Sequence, residues 1–264
     1  MQKSNKLRFA VMCDGTHLAK WQAKCIRELI ASELAEPALL IQPAHTETKA
    51  DLFKRFKSQV NKLPFYIYNL FWVKRRSKAH QSEDCNDILG NLPVVTCATE
   101  KIGKYRERFS NEDISHIAAM KLDFILRFAF NIIEGDILSS AKYGVWSFHH
   151  GDERKYRGAP PGFWECYSGD PSTGVILQRL TESLDAGHIL YRGTYDTHRS
   201  YTRNIEQIHM RATNYPVSVC KGIIAGNTLP PISSSSAKIY KAPGTLQMCA
   251  YGAKRLYRLL RFSS

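Results

Sequence analysis

A chain of 264 residues with 44% hydrophobic residues buries an ordinary core in one large domain with room for an appendage, so neither disorder nor a disulfide framework organises it. Seven cysteines, at 13, 25, 85, 97, 166, 220 and 249, form no CxxC pair, which reads as reduced cytosolic thiols and not as bridges or a metal site. The formal charge of +13 is uneven: nine Lys/Arg face the single Asp51 over residues 49–78, and six Lys/Arg with no acid fall between Asn227 and Ser264, a balance that favours phosphate-bearing molecules, nucleic acid or anionic lipid.

Leu7–Cys13 reads as a buried strand ending at Asp14-Gly15, which also cuts that apolar run too short for a signal peptide. Residues 17–34 have apolar positions at 18, 21, 25, 26, 29 and 30, a helical spacing, and Ala38–Ile41 reads as a second strand. This β-α-β opening predicts a mostly parallel central sheet with helices on both faces. Residues 45–85 read as a helical insertion: Leu52, Phe56, Val60 and Leu63 share one stripe that Pro64 stops, and the aromatic run Phe65–Trp72 leads into Lys74-Arg75-Arg76-Ser77-Lys78. The apolar runs Phe65–Val73 and Phe124–Ile133 are broken by Asn69 and Arg127, and both are shorter than the roughly 18–20 residues of a membrane span, so a soluble protein is expected.

The alternation resumes with a strand at Val94–Cys97, a helix over Asn111–Met120 capped by Ser110, a strand over Phe124–Phe130, a short helix over Asp136–Ala141 and a strand over Val145–Phe148. Pro161–Tyr167 starts a helix with proline in its first turn, Gly174–Leu180 and Ile189–Tyr195 pair as strands, and Ser200–Ile224 is a long helix kinked at Pro216. Residues 230–236 read as a Pro- and Ser-rich linker. Beyond it, Leu246, Cys249, Ala253, Leu256, Tyr257 and Leu260 form a stripe opposite Lys254, Arg255, Arg258 and Arg261, a basic amphipathic helix of the kind that lies on a bilayer or docks on its own domain. The predicted organisation is an α/β domain over 1–228 and a linker plus basic helix over 229–264, and a chain ending near Pro230 is expected to stay folded.

The strand over Val145–Phe148 ends by delivering His149 into a Gly- and Pro-rich loop, and the carboxylate of Asp185 follows 36 residues later at the turn Leu184-Asp185-Ala186-Gly187. That order is what an acyl-transfer site needs if it works through imidazole plus carboxylate and no covalent nucleophile. Residues two apart share a strand face, so Ser147 and His149 point together while Phe148 and His150 point away. His149 is expected to hydrogen-bond a developing oxyanion and relay a proton, with Asp185 tuning its basicity. Arg127 interrupts an otherwise buried strand, which calls for a partner: Asp123, Asp136, or an acidic ligand.

The runs Gly144-Val145-Trp146-Ser147-Phe148-His149, Tyr156-Arg157-Gly158-Ala159-Pro160-Pro161, Thr173-Gly174-Val175 and Leu184-Asp185-Ala186-Gly187-His188-Ile189-Leu190 resemble the folate-dependent formyltransferases. That family includes the methionyl-tRNA, glycinamide ribonucleotide and sugar N-formyltransferases. The likeness runs over about residues 88–195, with a thinner stretch over 7–44. It implies a Rossmann-like formyltransferase fold and an enzyme that moves a formyl group from 10-formyltetrahydrofolate, with no metal. The family pattern is Asn-x-His, and here Ser147 stands where the asparagine amide would donate to the formyl oxygen. Losing one such donor costs on the order of 3 kcal/mol, so either His150 or a loop N–H compensates or the chemistry has changed or been lost.

The resemblance also implies a pterin pocket lined by the segment before the catalytic strand, here Phe130, Asn131, Ile132, Ile133, Glu134 and Gly135, with Gly135 where the family carries proline. Arg157, His150, Lys155 and Tyr156 are the expected acceptor contacts, Arg157 either forking onto a phosphate or stapling its own loop. The acceptor implied is a phosphate-bearing amino sugar nucleotide in preference to tRNA, whose formylating enzymes carry a further C-terminal domain. The expected location is the cytoplasm, with peripheral contact at the inner face of a membrane through the basic helix. A methionyl-tRNA formyltransferase-like enzyme, a formyltetrahydrofolate hydrolase and a catalytically degenerate binding protein are the other readings.

Overall fold

The computed structural model describes residues 6–44, 60–103, 105–182 and 186–260. Strands β1 (Leu7–Met12), β3 (Ala35–Pro43), β5 (Val94–Cys97), β8 (Phe124–Arg127) and β10 (Val145–His149) run parallel, and β12 (Ser172–Arg179), β13 (Ala186–Asp196) and β14 (Ile232–Ser234) add antiparallel to one edge. The eight-stranded order is β14-β13-β12-β10-β8-β1-β3-β5. A mostly parallel sheet must be covered on both faces, and the clusters on its two sides show that it is. On one side Phe9, Phe124 and Trp146 stack in sequence at 5.3 and 3.9 Å under α1 (Lys20–Ala31), which buries Trp21, Cys25, Ile26 and Leu29. On the other, Ala10, Met12, Ile125 and Val145 pack with Ile117 of α4 (Asn111–Ala119). The α/β class read from the sequence is the observed one.

Local chemistry sets several boundaries. Helix α1 begins at Lys20 and not at His17, because His17–Ala19 pairs as strand β2 with β4 (Ser82–Asp84) and the Ala19 N–H donates to the Gln22 side chain at 2.9 Å. Ser110 caps α4 by accepting from the Asp113 N–H at 3.1 Å, as its sequence implies. Two prolines begin helices, where the sequence pattern predicts a stop and a kink. Pro64 sits in the first turn of α2 (Leu63–Tyr68), and Pro216 opens α7 (Tyr215–Ile224) after α6 (Tyr201–Arg211) has ended. At that position proline lacks only an N–H that no helix would bond, so it starts a helix at no cost. The helix expected from Pro161 begins after Gly162 as α5 (Phe163–Ser168). The strand expected over Phe124–Phe130 stops at Arg127, and Phe130 takes a positive φ of 64°. Leu52 and Phe56 of the insertion lie outside the described residues.

The segment expected to be a linker is part of the sheet. Ile232, Ser233 and Ser234 pair with His188, Gly187 and Ala186, and His188 Nδ1 lies 2.5 Å from the Pro230 carbonyl. Strand β15 (Ile239–Tyr240) then pairs with β11 (Arg157–Gly158), where a side chain at Gly158, φ 89°, would strike the Tyr240 carbonyl. The final helix α8 (Thr245–Leu260) places buried Tyr251 against Phe163, its hydroxyl accepting from the Tyr201 N–H at 3.3 Å. These contacts complete a third cluster around Phe65, Val73, Phe163, Trp164 and Tyr201. A chain ending at Pro230 is therefore expected to be destabilised, contrary to the linker reading. Removing one buried aromatic typically costs 3–5 kcal/mol, and in a chain of this size each kcal/mol lowers Tm by roughly 2–4 °C. A drop of about 10 °C, or aggregation, is expected in a thermal melt. A truncated chain that melts with the full one would show the segment to be dispensable.

Candidate functional site

The site lies where β10 leaves the sheet. Strand alternation puts Val145, Ser147 and His149 on one face and Trp146, Phe148 and His150 on the other. Parallel pairing with β8 sets Ser147 beside Arg127, and antiparallel pairing with β12 sets it beside Gln178. Arg127, Ser147 and Gln178 thus form one row across three strands, and His149, beside Ile176, is one step further out. All four side chains line a cavity of about 270 Å³. Ile132, Ile133, Glu134, Leu180, Ile189, Arg157 and Ser233 also line it.

The row is bonded within itself. Arg127 Nη1 donates to Ser147 Oγ at 2.9 Å, and Nη2 donates to the carbonyls of Phe130, at 3.0 Å, and Asn131. These partners are all neutral, neither Asp123 nor Asp136 is among them, and the buried Nε has no hydrogen-bond partner among the described residues. Burial pushes the Arg127 guanidinium down to about 10, with Glu107 opposing the shift, so it remains a cation at neutral pH. A buried cation satisfied only by neutral acceptors favours an anionic or strongly polarised group beside it. Several other charges around the cavity form ion pairs. Arg106 and Arg108 reach Glu134 at 3.4 and 2.8 Å, and Arg192 reaches Glu153 at 2.8 and 2.5 Å.

His149 Nε2 lies 3.1 Å from the Tyr156 carbonyl, which can only accept, so Nε2 carries the proton and Nδ1 is the basic position of the neutral ring. Asp185 lies outside the described residues. Gly174 makes the approach of this loop possible: a Cβ there would stand 2.8 Å from the Asp152 backbone.

The other expected contacts divide. Ile132, Ile133 and Glu134 line the cavity, but as strand β9 paired with β7 (Arg106–Arg108) and not as an open loop. Phe130 and Asn131 turn their carbonyls to Arg127, the Asn131 side chain bonds Glu107, and the Gly135 N–H donates to Glu182 at 3.1 Å. Arg157 lines the cavity and staples it, donating to the Ser235 and Ala237 carbonyls at 2.8 and 3.0 Å. Tyr156 and Lys155 turn away: the Tyr156 hydroxyl donates to Asp170 at 2.6 Å and Lys155 Nζ lies 4.0 Å from the same carboxylate.

His150 is not an acceptor contact and cannot stand in for the missing amide. Its alternation sends it through the sheet to stack on His209 at 3.8 Å, edge-on to Trp21 at 5.1 Å. His209 meets His80 at 4.7 Å. Burial, then His209, His149 and His80, holds His150 well below its usual value; burial and His80 hold His209 at about 3, and burial and Lys74 hold His80 at about 4. This is a neutral packing cluster on the far face.

Gln178 was missed, although a polar residue in the run Gly-Val-Ile-Leu-Gln-Arg-Leu is a visible break. Arg127 was noticed for its burial, but its link to Ser147 depends on strand register.

No family model matches the chain. The methionyl-tRNA formyltransferase of Rickettsia massiliae is 29% identical over 206 residues, which are 77% of this chain and 60% of that protein. A phosphoribosylglycinamide formyltransferase from Coxiella burnetii superposes with a TM-score of 0.55 at 13% identity, covering 86% of this chain and 90% of that one. A sugar N-formyltransferase from a Shewanella species does so with a TM-score of 0.52 at 11% identity, covering 95% and 88%. The chain spans about three fifths of the length of the first of these, the curated relative. In sequence the chain is thus similar to a methionyl-tRNA formyltransferase, and in fold to the formyltransferases.

Proposed function

We propose that the chain transfers a formyl group from 10-formyltetrahydrofolate to a primary amine. The observation that carries this reading is the row Arg127–Ser147–Gln178 with His149 beside it, all lining one cavity that Ile132, Ile133, Leu180 and Ile189 also line. The residues fit the donor: Ile132, Ile133 and Leu180 offer the apolar surface a flat pterin ring needs, and Arg127 has an unbonded buried Nε. When bound, the donor supplies an electrophilic formyl carbon and the nitrogen that departs from it.

The protein's residues supply the rest. Arg127 donates to Ser147 Oγ, so the serine's own proton is free to point into the cavity. That O–H and the Gln178 amide meet the negative charge that develops on the formyl oxygen. His149, at Nδ1, takes the proton released by the attacking amine and returns it to the departing nitrogen. Asp185 stabilises the imidazolium between those two events.

We further propose an amino sugar carried on a nucleoside diphosphate as the acceptor, since Arg106, Arg127 and Arg157 all line the cavity. The likeness to a methionyl-tRNA formyltransferase favours a second reading, tRNA. Salt separates them. Holding a tRNA through six or more phosphate contacts loses roughly 10³ or more in affinity between about 50 and 200 mM salt, and a diphosphate loses little. In a formylation assay with both acceptors, turnover of the nucleotide sugar with little salt dependence is expected. Formylation of tRNA alone, with steep salt dependence, would reassign the acceptor. Failure of 5-formyltetrahydrofolate to raise Tm at about a hundredfold excess over a micromolar Kd, where about 2.7 kcal/mol is available, would remove the folate reading itself.

A further inference from the structure

The amphipathic stripe of α8 faces away from the protein. The helix docks through Tyr251, buried, and Met248, half-buried, with Lys254 donating to the Tyr167 carbonyl at 3.0 Å. The apolar residues on the stripe are left in solvent: Leu246 is 86% exposed, Leu256 59%, Tyr257 62% and Leu260 65%. Helix α2 and the turn after it, Asn69–Lys74, pack beside α8 through Tyr68 and Tyr251, whose rings lie 6.2 Å apart. They too turn outward with Ile67, Leu70 and Phe71, each at least half exposed, and with Trp72. Exposed apolar side chains concentrated on two adjoining helices mark an interaction surface, because scattered surface leucines would not adjoin.

The charge carried by the two segments that form this surface has one sign. Val60–Ser82 carries Lys62, Lys74, Arg75, Arg76 and Lys78 and no acid, and residues 227–264 carry six Lys/Arg and no acid. Arg76 lies over the Trp72 ring at 3.4 Å and Arg75 over Phe71 at 5.6 Å, so cations and aromatics are interleaved as they are at a headgroup boundary. Among the described residues no helix is long and apolar enough to cross a membrane, so the contact would be peripheral.

We infer that α2, its following turn and α8 form a docking face for an anionic lipid bilayer. Leucine and isoleucine insert into acyl chains and have no stacking role on nucleic-acid bases, which favours lipid over RNA. The same face is tied to the cavity, because β15, just before α8, pairs with Arg157–Gly158. The inference is independent of the proposed reaction, and its test does not read activity.

The test is sedimentation of the full chain with phosphatidylcholine vesicles, with and without phosphatidylglycerol, while following tryptophan emission. Trp21, Trp146 and Trp164 are buried, so a blue shift on vesicles reports Trp72 and should vanish in Trp72→Phe. Binding to the anionic vesicles alone is expected. Leu256→Ser with Leu260→Ser should lower the partition by roughly tenfold or more. Arg75→Gln and Arg76→Gln should each lower it by roughly fivefold. All four positions are exposed, so the variants should melt like the parent chain. Three results would overturn the inference: no partition onto anionic vesicles at low salt, binding unaffected by the leucine changes, or an RNA or a second copy of the chain occupying this face while vesicles do not.

Discussion

His149→Ala is expected to lower turnover in the proposed formyl transfer by about 10³, within the range that a positioned general acid–base group supplies. Its Nε2 also holds the Tyr156 carbonyl, so alanine removes a loop hydrogen bond worth about 1 kcal/mol together with the proton relay. His149→Gln separates the two effects. A glutamine amide can donate to that carbonyl but cannot accept a proton at neutral pH, so the loop would be held and the chemistry still lost. Asp185→Asn should fall in the same direction, because an uncharged partner cannot stabilise the imidazolium. The readout is kcat against the KM for the formyl donor, with a thermal melt to confirm that all three variants fold. If His149→Gln kept more than a few per cent of parent turnover, His149 would be a loop support and the relay would have to be sought elsewhere.

The sequence carried most of the sheet and less of the site, for reasons that differ by residue. Strands β1 and β10 are mostly apolar runs, as strands buried on both faces tend to be, and Ser110 is a cap whose partner is three residues away. Such signals are local. Ile232–Ser234 defeated the reading because serine and proline mark a linker by composition, whereas an edge strand accepts any residue whose backbone finds a partner. That partner, β13, lies more than forty residues earlier in the chain. Pro64 and Pro216 were assigned the wrong role for a subtler reason: proline both ends and begins helices, and only the helix on its C-terminal side decides which. The direction of His150 was legible from alternation alone, since it follows His149, but its companions His80 and His209 come from other elements.

The arrangement of Arg127, Ser147 and Gln178 was not legible, because it needs the registers of two strand pairs whose members lie 20 and 31 residues apart. It answers the main difficulty in the sequence, the serine at the asparagine position of the family pattern. A lone serine is a weak oxyanion donor because its hydroxyl rotates and can point anywhere. Here the Arg127 guanidinium occupies one lone pair of Oγ, which both polarises the O–H and leaves its proton for the cavity.

Arg127→Met is therefore expected to lower kcat by about 10² to 10³, the cost of a preorganised oxyanion donor. Ser147→Ala should cost a similar factor. The two together should cost far less than the product, because each acts through the other, and contacting residues of this kind show coupling of about 0.5–3 kcal/mol. Loss of Arg127 also frees the carbonyls of Phe130 and Asn131, so the KM for the donor must be followed separately. Arg127→Lys is the control for charge without the fork that reaches all three acceptors, and it should recover only part of the loss. Gln178→Leu should reduce kcat by a smaller factor, about tenfold, without moving the melt. In Ser147→Asn the side-chain carbonyl can accept from Arg127 while the amide faces the cavity, so activity should be retained in the parent background and fall sharply once Arg127 is replaced. Strictly additive losses in the Arg127→Met and Ser147→Ala cycle would show that the guanidinium supports the loop only, and that the serine donates without it.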